Sequence, residues 1–361
     1  MKNHFVLLYL WAFLLITALL VTRNSFEIVP SEDYDEKVKA AELTKVAFDE
    51  IKLYKGELNI EISKDDYDST GLIGDRYTPI TTTMGTLESK RTSTNHNFAA
   101  AIIDMLVEGG VKKGDQVVVV FSGSFPALNI ATMAAIEIME LKPYIMASLG
   151  SSSYGANNIK LTYLHMARRL KDKEIFTNFI DLVSLGGSND IASEFDIEVK
   201  EELINYISSQ NVDFLYEENY QKNIDYRVKK IKENVPNNKM LINVGGNLVS
   251  LGQNEESLYQ KNGLIKQKNT FSVLTPSKDK GLIQRSLDKG TPVIQLLNIK
   301  NLAHKYQIPY DKRGDVEVGQ GLAYVESKTN ILIPILAVIF TISSMIYYKR
   351  YYKGKEVDIH A

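Results

Sequence analysis

The sequence predicts an α/β fold: a mostly parallel sheet with flanking helices, plus one transmembrane helix at each end. Three observations carry that expectation. Uncharged apolar runs, Phe5 to Val21 and Ile331 to Tyr348, stand near the two ends. Between them, apolar runs of strand length alternate with segments of helical periodicity, the rhythm of β-α-β units. Several strand-like runs end in turns rich in Ser and Gly, as loops at the carboxyl edge of a parallel sheet do.

In chain order, residues 1–4 form a short tip carrying Lys2, and residues 5–22 form the first span. A helix rises about 1.5 Å per residue, so roughly 17 to 25 apolar residues cross a hydrocarbon core of about 30 Å. The segment that follows, Thr22-Arg23-Asn24-Ser25-Phe26, lacks the small residues of a signal-peptide cleavage site, so an anchor is expected. Residues 331–348 form the second span, with Pro334 in its first turn, where a missing N–H is tolerated. The tail, residues 349–361, carries Lys349, Arg350, Lys353 and Lys355. Basic residues at both tips place both termini in the cytoplasm and the main domain, residues 23–330, outside the cytoplasmic (inner) membrane.

Within that domain, Val38, Leu43, Val46, Ala47 and Ile51 have the spacing of an amphipathic helix over Ser31 to Tyr54, either a stalk or the domain's first helix. Asp65 to Asn95 is polar, nearly aperiodic and long for a loop in a compact domain, a length associated with function. Asn95 is placed to cap a helix through Phe98, Ala101, Ile102 and Met105, stopped by Gly109-Gly110. Val117 to Phe121 reads as a buried parallel strand. Ser122-Gly123-Ser124 makes the turn, with Ser124 as N-cap and Pro126 at the helix start. That helix runs to about Leu141, and Pro143 to Ser148 is the next strand. Further helices are expected over Leu161–Leu170, Ile197–Ile207, Tyr226–Asn234 (basic and solvated), Gly281–Lys289 and Ile299–Tyr306, and strands over Phe179–Leu185, Lys239–Val244 and Pro292–Leu297.

Charge and composition remove several function classes. The chain has a formal charge of −2, and with the two basic tips set aside the domain carries about −5, so no nucleic-acid footprint is expected. No cysteine is present, which excludes a thiol nucleophile and a Cys-based metal site. The five histidines, His4, His96, His165, His304 and His360, do not stand at metal-ligand spacing. With no P-loop and no G-x-G-x-x-G fingerprint, neither a metal nor a cofactor is expected.

The site is sought where strands end. Ser122-Gly123-Ser124, Ser184 to Asp190, Gly245-Gly246-Asn247 and Gly150 to Asn157 are four Ser/Gly-rich strand ends whose clustering at one edge makes a pocket. Lys90-Arg91-Thr92-Ser93-Thr94-Asn95 adds two cations and hydrogen-bonding side chains before a helix start, and Arg holds a carboxylate in a two-point fork. The candidate anion- or polymer-binding set is therefore Lys90, Arg91, Thr92, Ser93, Asn95, Ser122, Gly123, Ser124, Gly245, Gly246 and Asn247. Phe121 to Pro126 sits on a strand–turn–helix as a nucleophile elbow does, but Ser122 and Pro126 hold the glycine positions of G-x-S-x-G around Ser124. Ser124 is the candidate nucleophile if the chain is an enzyme, and no base is assigned to it.

Seven strings together resemble the poly-gamma-glutamate system protein family: Thr70 to Gly74, Ile80 to Thr83, Lys90 to Asn95, Phe121 to Pro126, Tyr154 to Asn157, Asn243 to Gly246 and Gln295 to Asn298. His96 departs from the proline expected after Asn95. The resemblance implies a component of a bacterial system that makes and exports poly-γ-glutamate, a polyanionic capsule or released polymer. The partners expected are the membrane components of the synthase from this resemblance, the polymer itself from the anion-friendly strand edge, the lipid bilayer from the two apolar spans, and no nucleic acid from the charge. The resemblance implies an accessory role on the outer face; an outer-face hydrolase or transferase of γ-glutamyl chains, and a ligand-free membrane scaffold, are the alternatives.

Overall fold

The computed structural model describes residues 2–24, 26–253, 261–266, 279–314, 316–329 and 331–358. Met1 and the last three residues of the basic tail, among them His360, lie outside the described residues. The chain forms two compact units, one of Met1–Glu32 with Val325–Ala361 and one of Asp33–Tyr324.

In the smaller unit, helix α1 (Lys2–Asn24) leads to strand β1 (Phe26–Pro30), which pairs antiparallel with β9 (Val325–Thr329), and β9 leads to the C-terminal helix Leu332–Asp358. Phe26 stands opposite Thr329, and Trp11 meets Tyr348 edge-on with ring centroids 6.1 Å apart, so the two helices run antiparallel side by side. Thr17, Thr22 and Thr341 each donate to the carbonyl four residues back, which satisfies their hydroxyls within the helix. Leu332–Arg350 is long and apolar enough to cross a membrane. The described apolar stretch of α1, Tyr9–Arg23, is shorter, about 22 Å at the rise of an α-helix. Among the described residues there is thus one helix of spanning length and apolarity, where the sequence reading expected one at each end.

The larger unit is α/β. In chain order it holds α2 (Tyr34–Glu57), α3 (Leu87–Ser93), α4 (Phe98–Glu108), β2 (Gln116–Ser122), α5 (Pro126–Ile138), β3 (Lys142–Ser148), α6 (Tyr163–Asp172), β4 (Leu182–Ser184), α7 (Ile197–Ser208) and β5 (Asp213–Phe214). Then follow α8 (Tyr220–Asn234), β6 (Met240–Val244), α9 (Leu248–Leu251), β7 (Gly263–Ile265), a helix over Leu282–Asp288, β8 (Val293–Leu296) and a helix over Ile299–Tyr306. The seven strands lie in the order β5-β4-β3-β2-β6-β8-β7, all parallel except the edge strand β7, which runs against β8.

Successive side chains of β2 point to opposite faces, as in any strand. Val117, Val119 and Phe121 join one core with Phe98, Ile102, Leu128 and Ala131 of α4 and α5. Val118 and Val120 join a second core with Ile224 of α8 and Leu251 of α9. The sheet is therefore covered on both faces, which is why its strands read as continuous apolar runs. From β2 the chain steps outward through β3, β4 and β5, then returns to place β6 on the other side of β2. That reversal makes the carboxyl ends of β2 and β6 the switch point, the place where a doubly wound sheet opens a crevice.

Several local expectations are corrected. Of the two readings of Ser31 to Tyr54, the domain's first helix holds and the stalk does not, since Ala40, Ala47 and Ile51 of α2 are fully buried in the core. The long loop is shorter than expected, because Leu87–Ser93 is helical. Asn95 is not the cap of α4; its Oδ1 accepts from the Asn97 N–H, and Asn97 holds the cap position. Ser124 is not the cap of α5 either, since Phe125 occupies that position with Pro126 following. Helix α8 begins at Tyr220 and is not wholly solvated: Arg227 is buried and its Nη2 lies 2.6 Å from Asp190 Oδ2.

Candidate functional site

A cleft of about 900 Å³ opens at the carboxyl edge of the sheet. Its floor comes from the ends of β2 (Ser122, Ser124), β3 (Ser148, Gly150, Ser152) and β6 (Gly246, Asn247). Gly186 to Asp190 after β4 and Leu297-Asn298 after β8 form its walls, and Thr82 to Thr86, with Ser89 and Lys90, cover one side. The four Ser/Gly-rich strand ends thus meet at one edge, as the β-α-β rhythm implied.

Two loops lock together to build the covering side. Thr82 N–H donates to Ser151 O and Ser153 N–H to Thr83 O, so residues 81–83 run beside 151–153 like a short parallel ladder. Asn157 ties the same loops: its Nδ2 donates to Asp75 O and Thr81 Oγ1, and its Oδ1 accepts from the Asp75 N–H. Ala156 N–H then donates to Gly123 O, which joins this assembly to the end of β2. Backbone passes so close here that glycine is required. A Cβ at Gly123 would lie 2.6 Å from Leu149 O, and one at Gly245, where φ is +90°, would lie 2.9 Å from Ser122 Cβ.

The structure divides the predicted set. Ser122, Ser124, Gly246, Asn247 and Lys90 line the cleft, whereas Gly123 and Gly245 lie in the backbone that shapes it. Arg91, Thr92 and Asn95 line a separate pocket of about 280 Å³ that shares no residue with the cleft. Arg91 is committed there: Nε lies 2.5 Å and Nη2 2.8 Å from the Asp311 carboxylate oxygens, and the guanidinium covers the Tyr67 ring at 4.2 Å. Hydrogen bonding to Arg91 holds the Asp311 carboxyl below the usual range. Thr92 accepts from the Asp311 N–H, and Ser93 donates to Lys90 O inside the helix. The helical register explains the split, since residues one apart on a helix face different directions.

Among the described residues Lys90 is the one cation that lines the cleft, and it is 2 % exposed. Its Nζ lies 2.8 Å from Ser152 Oγ, donates to the Ser124 carbonyl, and stands 3.9 Å from the centroid of the Phe125 ring. Burial lowers its pKa from the ordinary lysine value to about 7. The acids of the cleft are engaged elsewhere: Asp190 pairs with Arg227 and accepts from Ser184 Oγ at 2.8 Å, and Glu194 accepts from the Ser188 N–H. Ser124 Oγ accepts from the Ser152 N–H at 3.0 Å, and Ser122 Oγ from the Ser124 N–H at 3.1 Å.

Among the described residues no histidine lines the cleft. His165 instead accepts from the Thr162 N–H at the start of α6 and stacks on Tyr206 at 3.6 Å, and burial lowers its pKa to about 4. Sequence reasoning missed Ser148, Ser152, Thr86, Ser89 and Glu194 as site residues. Ser152 was signalled by the Gly150 to Asn157 cluster; the others carried no pattern of their own. Compared with family models, curated proteins and solved structures, the chain matches none.

Proposed function

We propose that this chain is a membrane-anchored accessory protein of a poly-γ-glutamate biosynthesis and export system, handling the emerging polyanion on the outer face of the membrane. One observation carries the reading. Of the seven strings that resemble the poly-gamma-glutamate system family, five contribute lining residues to one cleft: Thr82, Lys90, Ser122, Gly246 and Asn298. A sixth, Tyr154 to Asn157, braces the cleft's covering loop through Asn157. Segments spread from Thr82 to Asn298 meet in space around a polar crevice that has one buried cation among the described residues.

Both apolar helices cross the cytoplasmic membrane in this reading, with both termini inside and partners among the membrane components of the synthase. The antiparallel contact of α1 with the C-terminal helix supports termini on one side. In the cleft, hydroxyls and backbone groups receive the amides of a short γ-glutamyl segment, and Lys90 offers a proton to a carboxylate. One cation among the described residues suits a few residues of polymer rather than a broad polyanion face, so binding weakens only mildly with salt. Calorimetric titration of the full chain in detergent with γ-glutamyl oligomers tests this. Saturable binding, weakened at least about tenfold by Lys90→Met, is the expected outcome, on the scale of one charged hydrogen bond. Heat no greater than dilution in the wild type removes the reading and leaves a ligand-free scaffold.

A further inference from the structure

We propose that Ser152 and Lys90 form a nucleophile–base pair that gives the cleft an acyl-transfer activity toward an amide or ester. The inference goes beyond polymer binding and places the nucleophile on Ser152, not on Ser124.

Three geometric facts support it. Ser152 Oγ and Lys90 Nζ are 2.8 Å apart, and both residues line the cleft. The base is oriented by a third group, because Nζ also donates to the Ser124 carbonyl. A neutral amine that spends an N–H on that carbonyl can turn its lone pair to the Ser152 hydroxyl. The nucleophile is itself held: its N–H donates to Ser124 Oγ, and Gly85 passes so close that an added Cβ would lie 3.1 Å from Ser152 Oγ and 3.0 Å from Lys90 Cε. Lys90 Nζ meets Ser124 at its carbonyl oxygen, whereas it meets Ser152 at the hydroxyl.

Burial that brings the Lys90 pKa to about 7 leaves a large neutral fraction near neutrality, which a base requires. The other titratable groups of the cleft among the described residues are Asp190, paired with Arg227, and Glu194, bonded to the Ser188 backbone. In the reaction, Ser152 Oγ attacks the acyl carbon and its proton passes to Lys90 Nζ. The tetrahedral intermediate collapses as Lys90 returns that proton to the leaving amine or alkoxide, which leaves Ser152 acylated. Water or an acceptor amine then attacks the ester, gives its proton to Lys90, and the proton returns to Ser152 Oγ as the acyl group departs. Serine–lysine pairs of this kind serve as variants of the serine–histidine arrangement.

The test treats the full chain in detergent with an alkyl fluorophosphonate and maps the adduct by peptide mass. The expected result is an adduct on Ser152, formed at a rate that rises as pH passes through about 7. Lys90→Met lowers that rate about 100-fold, the low end of a general-base contribution. The wild-type pH profile needs no variant, so a misfolded Lys90→Met cannot mask the answer. No adduct on Ser152, an adduct on Ser124 instead, or a rate independent of pH overturns the pair. Oligomer binding without labelling removes this inference and leaves the binding reading standing.

Discussion

Lys90 shows how one side chain can carry most of a site. A buried lysine without a carboxylate partner is costly in its charged form, and folding resolves the conflict by lowering its pKa. The folded value, about 7, lies below the usual 10.5, so between these pH values the unfolded chain holds the extra proton. The charged form therefore costs stability below about 7, and the cost is relieved as pH rises from 7 toward 10.5. Denaturant melts across that window should show wild-type stability climbing relative to Lys90→Met. Parallel curves would mean that Lys90 is solvated or paired in the folded chain. Its neighbour Arg91, one residue on, is tied to Asp311 and Tyr67 and acts on packing instead.

At the scale of elements, the cleft depends on loops rather than on the sheet alone. The Gly186 to Ala192 turn holds Gly186, Gly187, Asn189, Asp190 and Ala192 at positive φ, a strained run kept in place from outside. Arg227 of α8 supplies the restraint by bonding Asp190 at 2.6 Å and Ser184 Oγ at 3.0 Å, with Asn223 bonding both Arg227 and Asp190. Arg227 and Asp190 are 1 % and 4 % exposed, so removing one leaves an uncompensated buried charge. Arg227→Ala should cost about 3–5 kcal/mol in urea unfolding. A loss under 1 kcal/mol would show that the turn holds its own shape. The same substitution should weaken oligomer binding, because Asp190 lies in the cleft wall.

For the whole molecule, the question is which side of the membrane each part occupies. The chain has no cysteine, so single introduced thiols report topology without background. Glu201→Cys, at an exposed position of α7, should react with a membrane-impermeant maleimide in intact cells. Lys353→Cys in the basic tail should react only after permeabilisation. The reverse pattern, or equal labelling of both, would overturn the orientation drawn from the basic tips.

The sequence alone determined the α/β class, the two-faced burial of the strands and the edge at which their ends meet. Those are local or periodic properties, written in runs such as Val117 to Phe121 and in Gly-rich turns after them. The short strand β5, the edge strand β7 and the pairing of β1 with β9 were not legible, because each is set by its partner strand rather than by its own pattern. The candidate site was half legible: the strand ends were, but not which face of α3 enters the cleft. Tertiary structure alone decided that Lys90 turns in beside Ser152 while Arg91 turns away to Asp311, because only long-range packing sets the rotation of a two-turn helix.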